Sequence, residues 1–350
     1  MRILMAWSTD GVGGNERRMV SAGKELSLRG HDVSHYITSQ LPPSSLADLI
    51  VSVSGKEPFL GGCVGLLRHQ VKLKPDVVIA NGLTTSIPLR LSKLLGKQFI
   101  LFSPRPGLDY NKSRTYFFLD SVARSRVDAY LTNSPAASLS LISRGIRPRQ
   151  IVEIPSALEG EWFSEAVGER GKGSVLMVGN CRPEKNHLFG LKVYLKSSCA
   201  TQLTVYTDDA TELRRFDARR TEYERRVKPI HFVEGETVGT GVYDSYAVLI
   251  HPSISESLPR TVLEAQARGC GVIASDVGST KDWVDDQYCL RPVESDEWAA
   301  ALDKMLSANT ANPSFQQYVP LSVEQYVDQF LGQIVKMLEA RVRPDSLGPA

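Results

Sequence analysis

His251-Pro-Ser-Ile-Ser-Glu256-Ser-Leu258-Pro259-Arg-Thr-Val-Leu-Glu264-Ala-Gln-Ala-Arg268-Gly269 is the stretch on which the reading of the fold turns. It leaves the apolar run 247–250, passes through a Ser/Pro loop and enters a helix expected over 260–268. Pro259 marks the helix start, because its fixed φ and missing N–H suit a first turn. Gly271–Ser275 then reads as the next strand. Strand, helix and strand in succession signal a parallel sheet with crossover helices.

The same alternation extends towards the N-terminus. Arg2–Trp7 reads as a first strand, 16–29 as its helix and 33–38 as a second strand. Residues 77–80, 99–102 and 129–132 read as further core strands, with helices over 84–95, 113–126 and 134–144. The polar, Gly-rich run 164–174 reads as a linker, after which strands 175–178 and 203–206 restart the pattern. The expected fold class is therefore α/β, with two tandem Rossmann-like, doubly wound domains facing a cleft. Residues 1–163 form the first domain and 175–320 the second; an amphipathic helix over 321–340 and a loose tail over 341–350 follow. In such sheets ligands sit beyond the carboxyl ends of the strands.

Length agrees with two cores, since 350 residues exceed what one core usually holds. The five cysteines are scattered and form no CxxC pair, which favours reduced thiols. The N-terminal run lacks the features of a signal peptide, and no stretch approaches the ~20 apolar residues of a spanning helix. The expectation is a cytoplasmic protein. A net charge of +2 hides an asymmetry. Between Lys56 and Arg149 about fifteen Lys and Arg face about five acids, and from His231 onward about eight face about seventeen.

Three loops carry the candidate chemistry. Gly11-Val-Gly13-Gly14-Asn-Glu16-Arg follows the first strand, where glycines let backbone N–H groups approach an anion. The dinucleotide fingerprint would need Gly at position 16, and the second strand ends in Ile37-Thr38 without a ribose-binding acid. A nicotinamide enzyme is thereby disfavoured. Val178-Gly-Asn180-Cys-Arg182-Pro-Glu-Lys185-Asn-His187 places Arg182 and Lys185 where they could grip a diphosphate. In the third loop, Glu256 and Glu264 are eight residues apart, at most about 12 Å in helix. That is about the reach from a sugar, past a diphosphate, to a ribose, with the Ser257 and Leu258 amides facing the phosphates between. A plain surface helix, a solvated basic loop and a Gly-rich turn are the structural alternatives.

These residues resemble glycosyltransferase family 4, the group 1 type with the GT-B fold. The run from His251 to Gly278 resembles its donor-binding signature, Val175–His187 its phosphate-gripping loop, and Gly13-Gly14-Asn15-Glu16-Arg17 its N-terminal glycine loop. Ile151-Val-Glu-Ile-Pro-Ser-Ala-Leu-Glu159 resembles its interdomain crossing. The resemblance implies transfer of a hexose or N-acetylhexosamine from a UDP- or GDP-sugar, with retention of configuration and with neither metal nor cofactor. It implies that Glu264 holds the ribose, Glu256 a hydroxyl of the sugar and Lys185 the diphosphate, with Gly13 and Gly14 reaching it from the first domain. It also implies that the C-terminal helix crosses back onto the first domain. Leaving-group stabilisation by Lys185 and Arg182 is the expected catalytic work.

The chain departs from the family pattern in several places. Asn180 stands where an Arg is usual, Ser257 where Gly is commoner, and Gly278-Ser-Thr-Lys-Asp282 where Gly-Gly-x-x-Glu is found. The family's first-domain histidine has no clear match, and Arg105 is the acceptor-side candidate. A nucleotide-sugar epimerase and a non-catalytic partner subunit are the alternatives. The basic excess, through Arg68, Lys72, Lys74, Arg90, Lys93, Lys97, Lys112, Arg114, Arg124 and Arg126 beside Leu66, Leu67, Leu91, Leu94 and Leu95, suggests an anionic membrane surface or a lipid-diphosphate acceptor. Surface polysaccharide, lipopolysaccharide or glycolipid assembly is the expected setting, with a carbohydrate, lipid-linked or small-molecule acceptor and no nucleic acid.

Overall fold

The first strand, β1 (Arg2–Trp7), sends alternate side chains to two apolar layers, as a strand's period of two requires. A computed structural model describes residues 1–7, 14–37, 52–53, 59–105, 113–166, 168–221, 228–236, 238–308 and 319–342. After β1 come β2 (Asp32–Ile37), β3 (Ser52–Val53), β4 (Val77–Asn81), β5 (Ile100–Pro104), β6 (Ala129–Thr132) and β7 (Ile151–Glu153). They form one parallel sheet in the order β3-β2-β1-β4-β5-β6-β7, which is doubly wound about β1 and β4. The helices between are α1 (Gly14–Leu28), α2 (Phe59–Leu73), α3 (Leu83–Leu94), α4 (Arg114–Ser121) and α5 (Pro135–Ser143).

Two short strands, β8 (Ala157–Leu158) and later β15 (Leu321–Ser322), lie where the chain passes between units. Contacts divide the chain into Met1–Ala157 with Leu321–Ala350, and Leu158–Pro320. The second unit holds β9 (Gly171–Val178), β10 (Gln202–Thr207), β11 (Ile230–Glu234), β12 (Tyr246–His251), β13 (Gly271–Ser275) and β14 (Cys289–Leu290). Its parallel sheet runs β11-β10-β9-β12-β13-β14. Its helices are α6 (His187–Lys196), α7 (Thr211–Thr221), α8 (Thr240–Ser245), α9 (Arg260–Ala267) and α10 (Ser295–Ser307). The chain then returns through β15 (Leu321–Ser322) and α11 (Val323–Val342) to the first unit.

Each unit has its own core. In the first, Ile3, Met5 and Trp7 pack with Met19 and Leu26 of α1 and with Val327, Phe330 and Ile334 of α11. Phe330 meets Phe102 edge-on at 4.9 Å, so α11 is an integral part of that layer. On the opposite face, Leu4 and Ala6 pack with Leu66 of α2, Leu89 of α3 and Leu141 of α5.

Three expectations need correction. The run 164–174 is not a free linker, because Gly171–Ser174 already belong to β9. Gly173 answers to packing: its φ is +73°, and a Cβ there would lie 2.8 Å from the Cys199 carbonyl oxygen. The polar residues just before it satisfy Arg268, whose buried guanidinium donates to Ser164 O at 2.6 Å and Glu165 O at 3.0 Å. The helix expected over 113–126 ends at Ser121, where Ala123 turns left-handed and a short 3-10 turn, Arg124–Arg126, follows. Buried Arg90 ends it by donating to the Asp120 carbonyl at 2.7 Å and the Val122 carbonyl at 3.3 Å. Helix α11 continues to Val342, two residues past the end expected for it.

Candidate functional site

Sheet order in the second unit reverses between β9 and β12, which pair in parallel with Val248 beside Val175 and Leu249 beside Leu176. Their outgoing loops therefore emerge side by side at a switch point. The β9 loop carries Lys185, and the β12 loop carries Glu256. The two loops are tied by the Ile254 amide, which donates to the Glu184 carbonyl at 2.8 Å. Lys185 Nζ forms an ion pair with Glu256 Oε1, so residues 71 apart in sequence meet at the crevice.

His251, the last residue of β12, stands beneath this pair. Its Nε2 lies 3.2 Å from Glu256 Oε1 and 3.1 Å from Ser253 Oγ, and its Nδ1 lies 3.2 Å from Thr261 Oγ1. An ionised carboxylate only accepts, so Nε2 carries the proton and donates to Glu256, while Nδ1 accepts from Thr261. Burial lowers the His251 pKa despite the opposing pull of Glu256, which keeps the ring neutral. For Glu256, burial pushes the pKa up, but the His251 hydrogen bond and the Lys185 charge outweigh it and hold it at about 2. His187, the first residue of α6, is held at about 4 by burial, with His251 and Lys185 adding repulsion. The two histidines are thus neutral scaffolding at neutral pH, and the charge beside them is that of the Lys185–Glu256 pair.

Glu264 lies within α9 and is buried. Its Oε1 accepts from Arg260 Nε at 2.7 Å and its Oε2 from the Tyr243 hydroxyl at 2.8 Å. Arg260 is shared with Glu159. Between the two glutamates, Ser257 and Leu258 are buried, and Pro259 takes the cap position of α9. The Leu258 amide donates to no acceptor among the described residues, so this N–H stands open at the helix entry. The loop is held from behind by the Ser279 amide, which donates to the Ser257 carbonyl at 2.9 Å. Gly278 makes that approach possible: its φ is +60°, and a Cβ would lie 1.9 Å from the Glu256 carbonyl oxygen.

Glu256, Ser257, Leu258 and Glu264 thus lie on one strand–loop–helix module, which Lys185 joins from the β9 loop through its pair with Glu256. Asn180 and Arg182 are exposed on the same β9 loop, joined by the Arg182 amide donating to the Asn180 carbonyl at 2.8 Å. Gly14 opens α1 in the first unit, and Gly13 lies outside the described residues. Arg105 does not serve as an open acceptor-side contact. It is buried at the end of β5 with its guanidinium on Asp120, which also binds Arg90 at 3.2 Å and Arg144 at 2.7 Å. Asp120 gathers three arginines, an arrangement that fastens α4 to α3 and α5.

Sequence reading missed several members of the site. Tyr243 and Glu159 touch the Glu264–Arg260 pair from 21 and 101 residues away, with no local signal. His251 was visible as the first residue of the motif, but its bond to Glu256 depends on how the loop folds back.

Residues 172–308 match the family model described as glycosyl transferases group 1. The matched residues all lie within the second unit. No curated protein matches the sequence. The chain resembles the structure of Anabaena Alr3699/HepE in complex with UDP and glucose, at 15% identity and a TM-score of 0.80, covering 96% of this chain and 100% of that one. It resembles the apo lipopolysaccharide outer core galactosyltransferase WaaB at 18% identity and a TM-score of 0.72, covering 96% and 100%. It resembles the sucrose-phosphate synthase of Thermosynechococcus elongatus at 17% identity and a TM-score of 0.73, covering 97% and 99%. At these identities the likeness establishes the fold, GT-B. Lys185, Glu256 and the α9 entry all lie within the matched residues.

Proposed function

We propose that the protein transfers a hexose or N-acetylhexosamine from a UDP- or GDP-sugar to an acceptor hydroxyl, with retention and without metal or cofactor. The observation that carries this reading is the Lys185–Glu256 pair set against the open Leu258 amide, with Glu264, eight residues after Glu256, on α9. A diphosphate fits between the Lys185 ammonium and the α9 entry, where the amides and the helix dipole favour negative charge. Glu256 then faces a sugar hydroxyl and Glu264 the ribose. In the reaction the acceptor oxygen bonds to C1 as the C1–phosphate oxygen bond breaks. The bonding pair leaves on the diphosphate, and the acceptor proton passes to it. Lys185 and Arg182 meet the developing charge, which is the interaction that lowers the barrier.

Solved structures of Anabaena Alr3699/HepE with UDP, with UDP-glucose, and with UDP and glucose support a uridine donor. WaaB, a lipopolysaccharide outer core galactosyltransferase, supports an acceptor in lipopolysaccharide or a related surface polysaccharide or glycolipid. No described helix is long and apolar enough to cross a membrane. A thermal-shift panel of UDP, GDP, ADP and dTDP with their sugars tests the donor. The true nucleotide at about a hundred times its Kd stabilises by about 2.7 kcal/mol. No stabilisation by any of them refutes the donor site, and stabilisation without turnover of the sugar points to a non-catalytic subunit.

A further inference from the structure

We propose that the outer face of α2, α3 and α4 in the first unit docks onto an anionic lipid bilayer. Three consecutive large apolar residues of α4, Phe117, Phe118 and Leu119, are exposed, with Phe118 at 70%. Leu91, Leu94 and Leu95 are exposed on the neighbouring α3, with Leu95 at 84%. The two sets adjoin. Arg90, next to Leu91, donates to the carbonyl of Asp120, next to Leu119, at 2.7 Å. Val64 and Val71 extend the apolar surface onto α2. Single exposed leucines need no explanation, but a run of this kind across neighbouring helices marks an interaction surface.

The charge around it selects the occupant. Arg68 and Lys72 share the α2 face with Val64 and Val71, at helical spacing. Arg114 lies one turn before Phe117 and Phe118, and Lys97 and Arg126 lie beyond the ends of α3 and α4. All five are exposed and form no ion pair among the described residues. The acids of α4 and its flank are spent internally, Asp120 on three arginines and Asp128 on Lys93. A face of Phe and Leu rimmed by Arg and Lys matches an anionic interface, where the rings enter the headgroup boundary and the cations meet lipid charge. The structure also changes which residues belong to it. Leu66 is core, Arg90 is buried, Lys112 lies outside the described residues, and Phe117 and Phe118 join instead.

This inference is independent of the donor site, and its test needs no turnover. Co-sedimentation with phosphatidylglycerol-containing vesicles and with pure phosphatidylcholine vesicles, at low and high salt, reads the partition directly. Binding to the anionic vesicles alone, weakened by high salt, is expected. Phe118→Ser with Leu95→Ser lowers the partition by about tenfold, and Arg68→Glu with Lys72→Glu by more than about fivefold per position. Unchanged thermal melting shows that these surface variants still fold. Negligible or equal binding to both vesicle types overturns the proposal. So does a parent that is dimeric by light scattering and becomes monomeric in the Phe118→Ser, Leu95→Ser variant, because the face would then be covered by a second copy.

Discussion

His251 donates its Nε2 proton to Glu256 across 3.2 Å, and the same Glu256 oxygen holds Lys185. One carboxylate is thus fixed from below by a neutral ring and from the side by a cation. In the proposed function a donor diphosphate arriving at Lys185 would compete for the ammonium, and His251 would keep the Glu256 side chain in place during that exchange. The arrangement is preorganised at small reorganisation cost, which is what electrostatic catalysis needs.

The first prediction is acid behaviour. Glu256 has its pKa depressed from 4.5 to about 2, so it adds stability above pH 4.5 that is lost as the pH falls towards 2. A carbon-detected NMR titration of the parent shows the carboxylate ionised at pH 3.5. In His251→Leu the hydrogen bond is gone and the midpoint moves upward. An unchanged midpoint in that variant contradicts the assigned tautomer.

The second prediction separates the two glutamates. Glu264→Gln keeps the shape of the α9 contacts and weakens nucleotide binding by about tenfold, the equivalent of one charged hydrogen bond. Glu264→Ala also leaves Arg260 short of a partner and the buried Tyr243 hydroxyl unpaired, so it costs about 2–4 kcal/mol in urea unfolding. Glu256→Gln binds nucleotide like the parent but turns over more slowly. If isothermal titration and initial rates give the same profile for both Gln variants, their assignment to ribose and sugar is wrong.

The third prediction concerns the cations. Arg182 is exposed, so Arg182→Ala leaves the melting temperature unchanged while lowering the rate by about tenfold to a thousandfold. Lys185→Ala loses rate to a similar degree, and it also raises the Glu256 pKa because it removes a neighbouring positive charge. Activity persists in excess EDTA. A strict demand for manganese or magnesium would mean that the leaving group is stabilised in another way.

The fourth prediction is structural. Gly278→Ala places a methyl group against the Glu256 carbonyl at a φ that L-residues rarely adopt. The loop must shift, at a cost of about 1–3 kcal/mol, and turnover falls further than stability suggests. Crystallography or the Glu256 NMR midpoint reads the displacement. A variant with parental stability and rate would show that the Gly278 turn does not hold the catalytic loop.

Much of this was legible in the chain. Apolar runs such as Arg2–Trp7 and Ala129–Thr132 give strand positions, because a strand buried on both faces must be apolar throughout. The spacing of Glu256, Pro259 and Glu264 gives a loop and a helix start within one segment, because capping and helical rise act locally. Tertiary structure alone decided the rest. The Lys185–Glu256 pair exists because β9 and β12 are neighbours in a sheet order that the sequence does not spell out. Arg105 looked available from its place after a strand, yet Asp120, on a helix folded back over it, turns it inward. The polar run 164–174 looked free until Arg268, about a hundred residues later, claimed its carbonyls. Local sequence fixes what depends on torsions and periodicity; partners distant in sequence are chosen only when the packed sheets bring buried charges together and each must find its counterpart.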